Sequence, residues 1–219
     1  MSLEILRLEH NSPEWYAFRR TGIGASDAAA ICGFSHFKSN MDVWEEKTGL
    51  KPQKDISDKP QVQYGKEAED LLLRMFALDF PKYEVSSNKG IVYRRGFMFA
   101  SLDGELKDKE TDELGIYEGK TAEIHRKIEL DAWNQRVPDY YFIQVLHQLI
   151  TTGRTFAVLK VQLKLLFKEE LEIITRHYRF NRKDWLDDMA FVYRKEARFM
   201  ESVTNNVRPA LILPRLIKN

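Results

Sequence analysis

Between residues 62 and 80 apolar and polar positions alternate with helical spacing. The inward stripe reads Val62, Gly65, Glu69, Leu72 and Phe76, and Pro81 ends the run. An acid on the apolar stripe is out of place, and its i−4 and i+4 neighbours, Gly65 and Leu73, offer it no ion pair. Lys66, three residues back, offers only a weak one. Upstream, Ser12-Pro13-Glu14 starts a helix that carries Trp15, Phe18 and Arg19 before Gly22. An Ala-rich helix over 26–32 stops at Gly33, and another over 41–48 stops at Gly49. Residues 51–60 are polar and bracketed by prolines, which predicts a surface loop.

Strands are expected near 90–94, 97–106 and 113–121, followed by a loop through Pro138 and a helix over 139–152. Strands near 155–166 and 170–180 and a helix over 182–204 follow, and an extended apolar tail over 208–214 suits packing on a partner or on the domain itself. There are no internal repeats. The layer order is mixed α/β (α+β), with a central sheet flanked by helices.

The strand at 113–121 carries the most specific chemistry. Leu114, Ile116, Glu118 and Lys120 share one face, because side chains alternate along a strand. Two aliphatic residues lead that face toward a core, and an acid and an amine end it. A buried face does not accept charges without partners. With Asp103 across an apparent hairpin, the set suits magnesium-dependent phosphodiester cleavage. There are plainer readings: Asp103-Gly104 is also a two-residue turn signal, and Glu118 and Lys120 can form a surface pair at an exposed strand end. Gln144, His147 and Gln148 form a polar stripe opposite Val145, Leu146, Leu149 and Ile150, and spacing alone reads it as solvated.

Composition narrows the classes. At 219 residues the chain can bury a substantial core. No apolar run approaches the roughly 20 residues that span a bilayer, and Met1-Ser2-Leu3-Glu4 lacks the features of a signal peptide. One cysteine, Cys32, rules out an internal disulfide and fits a reducing cytosol; without a second cysteine or spaced histidines, zinc is disfavoured. The net charge of +1 neither supports nor excludes DNA, since a nuclease can gather acids at its metal site and bases along its channel.

The acids and the strand order resemble the restriction-endonuclease-like nucleases, with Glu69, Asp103, Glu118 and Lys120 as the matching set. Six ordered blocks sharpen this. They are Gly22-Ile23-Gly24-Ala25-Ser26-Asp27-Ala28-Ala29-Ala30-Ile31-Cys32-Gly33, Trp44-Glu45-Glu46-Lys47-Thr48-Gly49, Tyr64-Gly65-Lys66-Glu67-Ala68-Glu69, Ser101-Leu102-Asp103-Gly104, Tyr117-Glu118-Gly119-Lys120-Thr121, and the stretch from Val137 to Leu149. Together they resemble the lambda-exonuclease, YqaJ-type viral recombinase family from about residue 15 to 153.

That resemblance implies one nuclease domain over 1–219, with an N-terminal helical segment to about 60, a catalytic core over 61–180 and a closing helix and tail. It implies one or two Mg²⁺ ions, replaceable by Mn²⁺, held by Glu69, Asp103, Glu118 and the Gly119 backbone carbonyl. Lys120 would orient or deprotonate the attacking water, and Gln144 would lie near it or near the scissile phosphate. Arg19 and Ser26 match positions that hold a terminal 5′-phosphate of DNA. Ser26 also suits a plain helix cap, Arg20 is an alternative to Arg19, and Trp15 suits either core or stacking.

The implied activity is 5′→3′ digestion of one strand of linear duplex DNA, leaving 3′ tails for a single-strand annealing partner. The implied assembly is a ring-shaped homotrimer in the cytoplasm of a bacterial or phage-infected cell. A restriction- or repair-type endonuclease would use the same metal site but gives no reason for the Arg19 and Ser26 blocks. A non-catalytic DNA-binding module gives no reason for Glu69, Asp103, Glu118 and Lys120 in register.

Overall fold

The computed structural model describes residues 2–53, 56–134 and 136–213. Local signals set most helix ends. In α1 (Pro13–Arg20) the Ser12 hydroxyl accepts from the Trp15 N–H at 3.1 Å. Helix α2 (Ala25–Cys32) ends at Gly33 with φ 82°, and α3 (Asn40–Thr48) ends at Gly49 with φ 78°, a left-handed turn that favours glycine. Ser39 and Asp42 close a reciprocal capping box at the start of α3. Helix α4 (Pro60–Asp79) begins on a proline and stops at Phe80, before Pro81. Within the loop expected at 51–60, residues 54 and 55 lie outside the described residues.

The strands are β1 (Glu4–Arg7), β2 (Ile23–Gly24), β3 (Tyr83–Ser87), β4 (Ile91–Arg95), β5 (Met98–Ser101), β6 (Gly104–Asp108), β7 (Leu114–Ile124), β8 (Phe156–Leu165) and β9 (Glu172–Asn181). Short α5 (Lys127–Asp131) and long α6 (Asp139–Thr152) connect β7 to β8. A 3-10 turn (Arg182–Trp185) leads into α7 (Leu186–Thr204).

Two sheets form. One has the order β3-β6-β7-β8-β9, with β7 and β8 parallel and the other pairs antiparallel. The other has the order β1-β4-β5-β2. The segment expected to be helical, up to about residue 60, therefore also supplies β1 and β2. These strands have only four and two residues, too short for alternation to register. The single strand expected over 97–106 is two strands in different sheets, because the chain leaves one sheet at Leu102-Asp103 and enters the other at Gly104. Asp103-Gly104 is thus a crossing between sheets rather than a hairpin turn.

The larger sheet is covered on both faces. On one side Val145, Leu146 and Leu149 of α6 pack with Ile116, Leu159, Val161 and Leu163. On the other, Leu73 and Phe76 of α4 pack with Tyr117, Phe156 and Val158. Truncating a fully buried ring such as Phe76 to alanine costs about 3–5 kcal/mol. The tail lies on the chain itself: Asn40 donates to the Ala210 carbonyl at 2.9 Å and accepts from the Ile212 N–H at 2.8 Å. Pro214 of that tail lies outside the described residues.

Candidate active site

β7 and α6 bring the first cluster together. β6 and β7 pair as an antiparallel hairpin with Gly104 opposite Tyr117, which puts Asp103 beside Gly119. The Gly119 N–H donates to Asp103 Oδ2 at 2.8 Å. Glu118 is 2% exposed, which excludes an ordinary surface pair. Three donors converge on its carboxylate. Lys120 Nζ and Gln144 Nε2 each lie 2.5 Å from Oε1, and Gln148 Nε2 lies 2.6 Å from Oε2. The polar stripe of α6 therefore faces inward, and the solvated reading is corrected: Gln148 and His147 are fully buried.

The electrostatics mark a site with surplus negative charge. Burial, then Glu118 and Glu69, push the Asp103 carboxyl well above its usual range against the pull of Lys120. Glu69 is raised too, by burial first, and its compensating charges are Lys89 and Lys120 rather than Lys66. Burial would lower Lys120, but Glu118 and Asp103 outweigh it and raise that amine above the usual lysine range, so Lys120 stands as a cation. The Tyr117 hydroxyl is buried, has no hydrogen-bond partner among the described residues and is raised by burial and by Asp103, Glu118 and Glu69. Among the described residues no three acidic, histidine or cysteine groups close into a metal cage, and amide and amine donors lie on Glu118. The donor set still fits a hard divalent ion: three charge-coupled carboxylates are all-oxygen ligands whose mutual repulsion a cation would relieve.

A second cluster sits where α1, α2 and α3 meet. Arg19 Nη2 approaches Ser26 Oγ at 3.4 Å and both Asp27 oxygens at 3.5 Å, and its Nε donates to Gln53 at 3.1 Å. Arg20, the alternative, is exposed. Asp27 is fully buried and pairs with Lys38 at 2.6 Å and Lys47 at 2.9 Å. Burial alone would raise Asp27, but Lys47, Lys38 and Arg19 hold it well below the usual carboxylate range. Ser26 is exposed on the first turn of α2 without capping it, since Gly24 is the cap residue. Trp15 is core: it is 5% exposed, stacks on His10 at 4.3 Å and underlies Arg19 at 5.7 Å.

Phe99 ties the second cluster to α6. Its ring lies 5.9 Å from the Arg19 guanidinium and 5.6 Å from Lys47 Nζ. Its carbonyl faces His147 Nε2 at 2.9 Å, and His147 Nδ1 meets Glu196 of α7 at 2.8 Å. Glu196 pushes the His147 imidazole above its usual value against the opposing effect of burial, and burial in turn pushes the Glu196 carboxyl up. Phe99 and Asp103 are only four positions apart in the chain, so their Cα atoms lie within about 14 Å. Sequence reasoning missed Gln148, Asp27, Lys38 and Lys47. The available signals were the absence of any Asp, Glu, Lys or Arg from Tyr140 to Gly153, which a solvated helix face would carry, and a lone acid inside the apolar Ala25–Cys32 helix.

The architecture is that of solved exonucleases. An alkaline exonuclease of Laribacter hongkongensis, LHK-Exo, superposes with TM-score 0.63 at 17% identity, covering 90% of this chain and 94% of that one. Its complex with dAMP gives 0.66 at 18% identity with the same coverage. A phage-related exonuclease from Haemophilus somnus 129PT gives 0.53 at 12%, covering 87% of this chain and 99% of that one. These likenesses show the fold. The chain belongs to the YqaJ-like viral recombinase family, whose model matches residues 14–155. YqaJ of Bacillus subtilis (strain 168), described as uncharacterized, is 29% identical over 211 residues, 93% of this chain. The chain spans 60% of that relative's length. Among the described residues no helix is long and apolar enough to cross a membrane.

Proposed function

We propose that the chain is a metal-dependent 5′→3′ exonuclease that digests one strand of linear duplex DNA from a phosphorylated end. The observation that carries this reading is the Asp103, Glu118 and Lys120 arrangement, with Glu69 coupled to it and a separate Arg19–Ser26 cluster a short strand away. Asp103, Glu118, Glu69 and the Gly119 carbonyl would hold Mg²⁺, one or two ions, with Mn²⁺ able to replace it. The bound ion would acidify water and stabilise charge at the phosphate. Lys120, already a cation, orients the attacking water and places positive charge beside the developing negative charge. Gln144 and Gln148 fix the Glu118 carboxylate. Arg19 and Ser26 bind the terminal phosphate through charge-assisted hydrogen bonds and set the register. The all-oxygen acid set and the DNA-mononucleotide complex of LHK-Exo both agree with a DNA phosphodiester as substrate.

The same reading takes residues 1–219 as one nuclease domain that works inside a bacterial or phage-infected cell. It assembles as a homotrimer around its product and passes 3′ tails to an annealing protein. Four substrates with Mg²⁺ test the activity: linear duplex with 5′-phosphate, the same with 5′-hydroxyl, closed circles and single strands. Preferential loss of the phosphorylated linear duplex supports it. Nicked circles move the assignment to an endonuclease, and intact substrates with binding retained move it to a non-catalytic module.

A further inference from the structure

The Asp27 cluster holds more positive charge than its carboxylates balance. Asp27 Oδ1 takes Lys38 at 2.6 Å and Oδ2 takes Lys47 at 2.9 Å, so both oxygens have a short ionic partner before Arg19 is counted. Arg19 stands off at 3.5 Å, at the edge of hydrogen-bonding range. Lys38 makes a second, longer pair with Glu46 at 3.4 Å. Three cations facing Asp27 and Glu46 leave one unit of positive charge over.

The three cations are not equivalent. Lys47 is 4% exposed and points inward, to Asp27 and to the Arg19 carbonyl, which it reaches at 2.6 Å, so it presents almost nothing to solvent. Lys38 is 25% exposed and Arg19 13%, and both retain donors that no group among the described residues takes. Both converge on Asp27 Oδ1, beside the exposed Ser26 hydroxyl. Two cations would separate if left alone. The buried carboxylate between them keeps both at one mouth.

We propose that Lys38 is a specificity-determining residue for a phosphomonoester end: with Arg19 and Ser26 it hydrogen-bonds the terminal phosphate, while Asp27 and Lys47 hold the two cations together. The inference rests on the reading above that the Arg19 cluster receives a DNA 5′ end. A terminal phosphomonoester carries about −1.5 to −2 charges and three acceptor oxygens, more than one guanidinium satisfies. A hydroxyl end offers no charge, so a second cation enlarges the gap between the two ends.

The test is equilibrium binding by fluorescence anisotropy in EDTA, so that nothing is cut. Labelled duplexes ending in 5′-phosphate or 5′-hydroxyl are compared on the full chain and on Lys38→Met, Lys38→Arg and Asp27→Asn. The expected result is a wild-type preference for the phosphate end that falls about tenfold in Lys38→Met and largely returns in Lys38→Arg. Asp27→Asn lowers it as well; if that variant does not fold, the Lys38 pair decides alone. A wild type without preference overturns the end-binding reading and this inference with it. A wild-type preference that survives intact in Lys38→Met overturns the role of Lys38 and leaves Arg19 standing. Equal weakening at both ends in Lys38→Met, which a general electrostatic contact would give, also overturns it.

Discussion

Replacing Gln148 by methionine separates a supporting role at the proposed metal site from a purely structural one. Gln148 Nε2 donates to Glu118 Oε2 at 2.6 Å, while its own Oε1 is buried with no partner among the described residues. Losing a hydrogen bond to a charged group costs about 1.5–3 kcal/mol. Removing a buried, unsatisfied carbonyl returns about 1–3 kcal/mol, and methionine keeps the length and fills the space. The two terms nearly cancel. Tm should therefore move by only a few degrees, since 1 kcal/mol corresponds to roughly 2–4 °C for a chain this size.

Metal binding should not be spared in the same way. Glu118 Oε2 loses its orienting donor, and such losses typically cost about 10–100-fold in metal affinity. Thermal melts and a Mg²⁺ titration of initial cleavage rate read the two effects separately. A midpoint unchanged from wild type, with a large fall in Tm, would refute the reasoning and make Gln148 a packing residue only.

Three further outcomes follow from the same geometry. Lys120→Ala should abolish cleavage while duplex binding, measured by anisotropy, stays within a few-fold of wild type; wild-type turnover would remove Lys120 from the chemistry. Arg19→Ala should narrow the rate difference between 5′-phosphate and 5′-hydroxyl ends, and an unchanged difference would take Arg19 out of the pocket. Asp27→Asn should cost about 3–5 kcal/mol near neutral pH, because three cations lose their buried partner. The Asp27 carboxyl is depressed in the folded state, so its stabilisation is complete above the unfolded value near 3.8 and is lost as pH falls through the lower folded value. The stability gap between wild type and Asp27→Asn should therefore close only in strong acid; a gap that persists unchanged to pH 2 would contradict the assignment.

The helices were legible because their ends carry local chemistry. Ser12-Pro13, Gly33, Gly49, Pro81, Pro138 and Gly153 punctuate the chain where α1 to α4 and α6 begin or end. Of the face expected on β7, Ile116 and Glu118 are buried, but Leu114, expected to lead it into the core, is 43% exposed at the strand's start, and Tyr117 on the opposite face is buried as well because the sheet is covered on both sides. Long-range partners were not legible. Whether the α6 stripe Gln144, His147 and Gln148 meets water or protein depends on β7, β5 and α7 lying against it. Asp27, Lys38 and Lys47 come from three separate stretches, and only the packing of α2 and α3 makes them a cluster. The crossing at Leu102-Asp103 was hidden because continuous strand character on both sides conceals a change of sheet.

The central claim is directional, metal-dependent digestion from a phosphorylated end. The most direct measurement uses a linear duplex carrying distinguishable labels at the 5′ and 3′ ends of one strand, with 5′-phosphates, followed over time in Mg²⁺ and in EDTA. The 5′ label should leave first in mononucleotide-sized product while the 3′ label stays on the shortening strand, and EDTA should stop both. Release of the 3′ label first, or equal release in EDTA, would contradict it.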